Sequence, residues 1–213
     1  MKRRRLVLFA IVLSTILVFI GNVNAGSVTV ATFSDPSGEA SSPLFKVDWA
    51  NSLINGGWAD SQNNLDLQIV LPGANAVFAD AWFIMDPLVI TSTIIFGGQK
   101  WGTTDSGQIR FYADGTSTNP VLIIDFLAGF IGRQFLAAEE QFAANTVVIT
   151  GSAIPYALSY EQFSFSFANV TNFNVGDGFT STASFTSSAV VPEPATLCLL
   201  GLGSLLIIRK KHK

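Results

Sequence analysis

The segment Glu161-Gln-Phe-Ser-Phe-Ser-Phe-Ala-Asn169 constrains the fold more than any other part of the chain. Extended, it places Phe163, Phe165 and Phe167 on one face and Ser164, Ser166 and Ala168 on the other, the period of two that a half-buried strand requires. Phe179 to Ser187 alternates likewise, with Thr180, Thr182, Ser184 and Thr186 sharing one face. Further strand candidates are Ser27 to Phe33, Leu65 to Leu71, Ala76 to Met85, Leu88 to Phe96, Gln108 to Tyr112, Val121 to Leu127 and Thr146 to Thr150. Between them stand the turn signals Asn55-Gly-Gly57, Pro72-Gly73, Gly97-Gly98, Asp114-Gly115 and Gly176-Asp-Gly178. Many short β-branched and aromatic segments punctuated this way predict an all-β fold, an antiparallel β-sandwich or jelly roll.

One segment argues otherwise. Arg133 to Ala144 is rich in helix formers and spaces Phe135 and Phe142 seven apart, which predicts one short helix or helical loop.

The two ends differ in kind from this body. Met1 to Arg5 is a basic n-region, and Leu6 to Ile20 is a run of apolar and small residues without a charge. Val23-Asn-Ala25 then puts small residues where a signal peptidase reads them, so residues 1–25 are expected to be a signal peptide cut after Ala25. The alternative is an uncleaved anchor, for which the run is near the lower length limit. Residues 26–187 form the expected extracellular domain, and residues 188–213 a separate tail.

Charge is partitioned just as sharply. Eight of the twelve basic residues lie in the two ends, leaving Lys46, Lys100, Arg110 and Arg133 against fourteen carboxylates, a net charge of −10 for residues 26–191. Such a domain repels phosphate backbones, so nucleic acid is not an expected partner. The one cysteine, Cys198, and the one histidine, His212, both belong to the tail. Residues 26–191 therefore have no internal disulfide, no Ser-His-Asp or Cys-His arrangement and no histidine-ligated metal.

The tail carries the strongest chemical signal. Pro192 and Pro194 push Val191 and Glu193 toward extended backbone and leave one carboxylate projecting from a stiff strand, a shape a processing enzyme can grip. Proline is tolerated at the first position of a helix, so Thr196 to Ile208 can follow as an apolar helix. It ends in Arg209-Lys-Lys-His-Lys213, which favours the cytoplasmic side. These thirteen residues span roughly 20 Å, short of a hydrocarbon layer of about 30 Å. A marginal transmembrane helix of this kind suits a transient anchor awaiting cleavage better than permanent residence.

In this order, the proline-locked carboxylate Pro192-Glu193-Pro194, the short helix with Gly201 and Gly203, and the basic end resemble the PEP-CTERM sorting signal of bacterial exported proteins. The resemblance covers about the last two dozen residues; the competing reading is an ordinary tail anchor, which should be nearer 20 apolar residues long. It implies processing by an exosortase, a membrane enzyme acting as a cysteine transpeptidase near the motif, and delivery to the cell surface or an exopolysaccharide matrix. The nucleophile then belongs to that partner. Cys198 reads as a small apolar helix residue rather than a catalytic or lipidated one.

For the body itself no enzyme activity is expected. Asp48, Asp66, Asp80, Asp86, Asp125, Glu139 and Glu140 are the carboxylates from which a glycoside hydrolase pair could be drawn, but no spacing singles out two of them, and solvated surface acids explain them equally. No cofactor is expected; calcium is the one ion that the acidic loops Asp35 to Glu39, Asp114-Gly115 and Gly176-Asp177-Gly178 would suit, although they match no known calcium repeat. Trp49, Trp58, Trp82 and Trp101 read first as core, and Trp58 and Trp101, flanked by glycines, as candidates for stacking on sugar rings. Asn169-Val-Thr171 matches a glycosylation sequon and is read as accidental.

Overall fold

A computed structural model describes residues 26–34, 43–57, 65–132, 135–139, 147–173 and 178–191. The signal segment, most of the tail and Trp58 lie outside these residues. In chain order the strands are β1 (Ser27–Ser34), β2 (Phe45–Asp48), β3 (Leu53–Gly56), β4 (Leu65–Leu71), β5 (Ala74–Phe96), β6 (Gln99–Thr104) and β7 (Gly107–Tyr112). There follow β8 (Pro120–Phe126), β9 (Gly129–Ile131), β10 (Phe135–Glu139), β11 (Val147–Thr150), β12 (Ser159–Phe173) and β13 (Gly178–Val190). All pair antiparallel in one sheet, ordered β11-β8-β7-β5-β3-β2-β13-β12-β10-β9-β6, and β6 pairs back onto β5. The path from β5 round to β6 therefore closes on itself, and β1 and β4 bridge β13 to β5 by a second route.

The core is what the alternation demanded. Phe163, Phe165 and Phe167 are all buried on β12, and Leu65, Leu67, Ile69 and Leu71 on β4 are buried while Asp66, Gln68 and Val70 face solvent. Phe165 sits at the centre, with ring centroids of Phe45, Phe185, Phe83, Phe33 and Phe163 at 4.9, 5.0, 5.9, 6.0 and 6.1 Å. These rings come from β1, β2, β5, β12 and β13, so one aromatic cluster holds both routes of the sheet together. Ser27–Val190 make one compact unit, and among the described residues its buried apolar side chains run from Val30 on β1 to Ala189 on β13.

Where the ladder is interrupted, side chains complete it. A bulge in β1 between Thr29 and Ala31 shifts the register against β13, and the buried Ser187 hydroxyl accepts from Ala31 N at 3.1 Å and donates to Ala31 O at 3.3 Å. A second irregularity, in β12 between Ala168 and Thr171, is served by Thr182, whose hydroxyl donates to Ala168 O and accepts from Asn169 Nδ2. Asn169 itself takes a left-handed backbone, φ 48°.

Three local expectations are corrected. The helix expected over Arg133 to Ala144 is absent where the structure describes it: Phe135–Glu139 is strand β10, lying between β9 and β12. Helix propensity is a weak local preference, and here two flanking strands offer ladder hydrogen bonds that it does not outweigh. The strands expected to break at Asp86-Pro87 are instead one strand, β5. Between the pairs Gly56–Met85 and Ile54–Leu88, two residues of β5, Asp86 and Pro87, face one of β3, Asn55, so a bulge at Asp86-Pro87 absorbs the missing proline N–H. Asn55-Gly56, expected in a turn, are the end of β3.

Two turns are fixed by carboxylates. Asp48 accepts from Asn51 N and Nδ2 at 3.0 and 2.8 Å, and Asp114 Oδ1 accepts from the N–H and hydroxyl of both Thr116 and Ser117 at 2.7 to 3.0 Å. The Asn51 side chain, then its N–H, holds the Asp48 carboxyl below its ordinary value of 3.8, and the Thr116 hydroxyl, then its N–H, does the same for Asp114. A carboxyl lowered on folding adds stability above its unfolded value and loses it as pH falls through the folded value. Stability of the body should therefore decline below about pH 4. The double variant Asp48→Asn, Asp114→Asn should be less stable at pH 7 and show a flatter acid decline in chemical denaturation; an acid decline as steep as the parent's would contradict this assignment.

Candidate functional site

The sorting junction begins where the sheet ends. Val190 is the last residue of β13, and it has partners on both sides, Ser27 of β1 and Ser159 of β12. Ser159 Oγ also donates to Val190 O at 3.3 Å. Two residues later comes Pro192, which has no N–H to offer a ladder. The folded body thus reaches to within two residues of the motif, and every residue of β13 upstream of it is held in the sheet. The motif residues Pro192, Glu193 and Pro194 lie outside the described residues, as does Ala25.

Trp101, singled out by its flanking glycines, lies on strand β6, which the Gly97-Gly98 signal hid by ending the readable pattern. Its ring stacks on Phe130 of β9 with centroids 5.5 Å apart and an interplanar angle of 25°. The same ring covers Gly132, where an added Cβ would lie 2.5 Å from two of its carbons. Phe130 is 39% exposed while its neighbours Gly129 and Ile131 are buried, which puts the aromatic pair on the outer face of the sheet. Half-buried Trp49 packs beside β6, with Lys100 Nζ 6.0 Å from its ring centroid. Trp82 stacks on Tyr112 at 4.8 Å and donates its N–H to Asp114 O at 2.6 Å, a structural role.

Of the candidate carboxylates, the structure brings two together. Asp86 and Asp125 line an open groove of about 410 Å³ with Leu88, Gln108, Phe126 and Val148. Each is already engaged: Arg110 donates to Asp86 at 2.8 Å and Gln108 to Asp125 at 2.7 Å, ties that join β5 to β7 and β7 to β8. Asp48, Asp66 and Asp80 sit on β2, β4 and β5 away from the residues lining that groove. Glu139 ends β10, and Glu140 lies outside the described residues. Of the calcium candidates, Asp35 to Glu39 and Gly176-Asp177 lie outside as well, while Asp114 spends one oxygen on its own turn. Among the described residues no three His, Cys, Asp or Glu side chains gather as a metal site would require.

Residues 190–211 match the family model of the PEP-CTERM protein-sorting motif. The match begins at the last residue of β13 and covers the tail only. No curated protein and no solved structure matches the chain. The chain thus carries a PEP-CTERM sorting motif, which supports an exported protein targeted to exosortase and sorted toward the cell surface.

Proposed function

We propose that this chain is a noncatalytic surface or matrix protein, delivered by its signal segment and tail and associated with exopolysaccharide once released. The observation that carries the reading is the sorting motif following directly in sequence on an acidic all-β body whose main strand path closes on itself. In this reading signal peptidase cuts after Ala25, the tail helix holds the exported body at the inner membrane, and exosortase acts on the Pro192-Glu193-Pro194 strand. The cut falls beyond Val190, because a site upstream would require β13 to peel away from two hydrogen-bonded neighbours.

A carbohydrate-binding role is the second reading, favoured by the outward Trp101–Phe130 pair, since stacked aromatic faces beside polar strand residues suit sugar rings. Replacing Trp101 with Ala should reduce retention of the body on host exopolysaccharide by about tenfold, the loss of one good contact of roughly 1.4 kcal/mol. Retention equal to the parent's would count against this site. The same incubation, followed by the size distribution of the polysaccharide, tests the groove of Asp86 and Asp125: shortening that disappears in Asp86→Asn would replace the noncatalytic reading with a hydrolase.

A further inference from the structure

We infer that the β5–β6 hairpin is a self-association element, and that its occupant is the same strand of a second copy of this chain. The hairpin closes on Gly97-Gly98, both with positive φ, 58° and 76°, the two-residue turn that matches strand twist. On β5, pairing with β3 ends at Val89, and Ile90 N is taken by Ser52 O. From Thr91 to Phe96 the strand has β6 on one side, and among the described residues no strand on the other. All six side chains are exposed, with Ile94, Ile95 and Phe96 at 61, 72 and 75%.

Natural sheet edges are usually blunted by lysine, proline, an inward charge or a covering segment. Thr91 to Phe96 contain no lysine, proline or charge, no strand covers them among the described residues, and their run of Thr, Ser, Ile and Phe is of the uncharged, β-branched kind that pairs with another strand. Its unpaired N–H and C=O groups point to the partner: a strand satisfies them, whereas a lipid phase leaves them unpaired at a cost. Charge points to a second copy. The body carries −10, yet no carboxylate occurs between Asp86 and Asp105, so this is the stretch along which two such bodies approach with least repulsion. Antiparallel pairing of one segment with itself is two-fold symmetric and closes at a dimer.

The hydrogen-bond pattern selects the test. In a two-residue hairpin Phe96 and Gln99 exchange ladder bonds, so bonding alternates back along β5 and the Thr93 and Ile95 amides face the open edge. Thr93→Pro removes an edge donor without touching the β6 ladder, and Ile95→Lys places a charge at the contact. Sedimentation velocity of residues 26–191 over a concentration series should show a monomer–dimer equilibrium. Each variant should weaken association at least tenfold while its melting temperature stays that of a folded body. A parent that remains monomeric into the hundreds of micromolar, or variants that dimerise as the parent does, would overturn the inference. So would flotation of the monomeric parent with phosphatidylethanolamine vesicles, lost in Ile95→Lys, since that would make the hairpin a lipid contact.

Discussion

Replacing Phe165 with Ala is expected to destabilise the body by about 3–5 kcal/mol, the range for removing a large aromatic side chain from a core that cannot collapse onto the space. Phe165 is fully buried and touches rings from five strands, counting its own. No single neighbour can move to fill the void without leaving its own contacts. For a domain of this size such a loss lowers the melting temperature by roughly 6–20 °C. Since marginal stability is about 5–15 kcal/mol in total, the variant stays near the threshold of folding. Thermal melting of residues 26–191 checks this, with Phe96→Ala as the control: Phe96 is 75% exposed and should change the melting temperature little. Equal losses from the two substitutions would mean that the aromatic cluster is not the core.

The second large effect concerns delivery. Replacing Glu193 with Ala, or Pro192 and Pro194 together, should leave the protein in the inner membrane with its tail uncut. Without the prolines the backbone before the helix is no longer held extended, and without Glu193 the one charged side chain between β13 and the basic end is gone. The body should be unaffected, because the three substituted residues lie beyond Val190, where the ladders of β13 with β1 and β12 end. Fractionation of the host, with the mass of the protein in each fraction, separates the outcomes. Unchanged release and unchanged mass would remove the sorting role from these residues.

The sequence could be read wherever a local pattern was long enough to dominate. β4 matches its expected bounds, Leu65 to Leu71, because seven residues alternate without interruption. β12 and β13 were legible for the same reason, although both run past the alternating part to Phe173 and Val190. β2 and β3 have four residues each and β9 has three, too short for a period of two to rise above chance. β10 was misread because its alanines favour a helix locally, and only the edges of β9 and of β12, the latter distant in sequence, make it a strand. Pro87 was read as a break because the bulge that accommodates it is a property of the β3–β5 pairing. The sorting motif needs no tertiary contact and was fully visible. The Trp101–Phe130 pair was not: the flanking glycines singled out Trp101, but its partner is set by the β6–β9 register, which no local pattern contains.

The account rests on the tail being removed from a finished domain, and intact-mass and C-terminal analysis of the protein recovered outside the inner membrane of its native host tests that most directly. A polypeptide that begins at Gly26, ends beyond Val190 and lacks Arg209 to Lys213 is the expected result. Recovery of chains that retain the basic terminus, stably embedded in the cytoplasmic membrane, would contradict it.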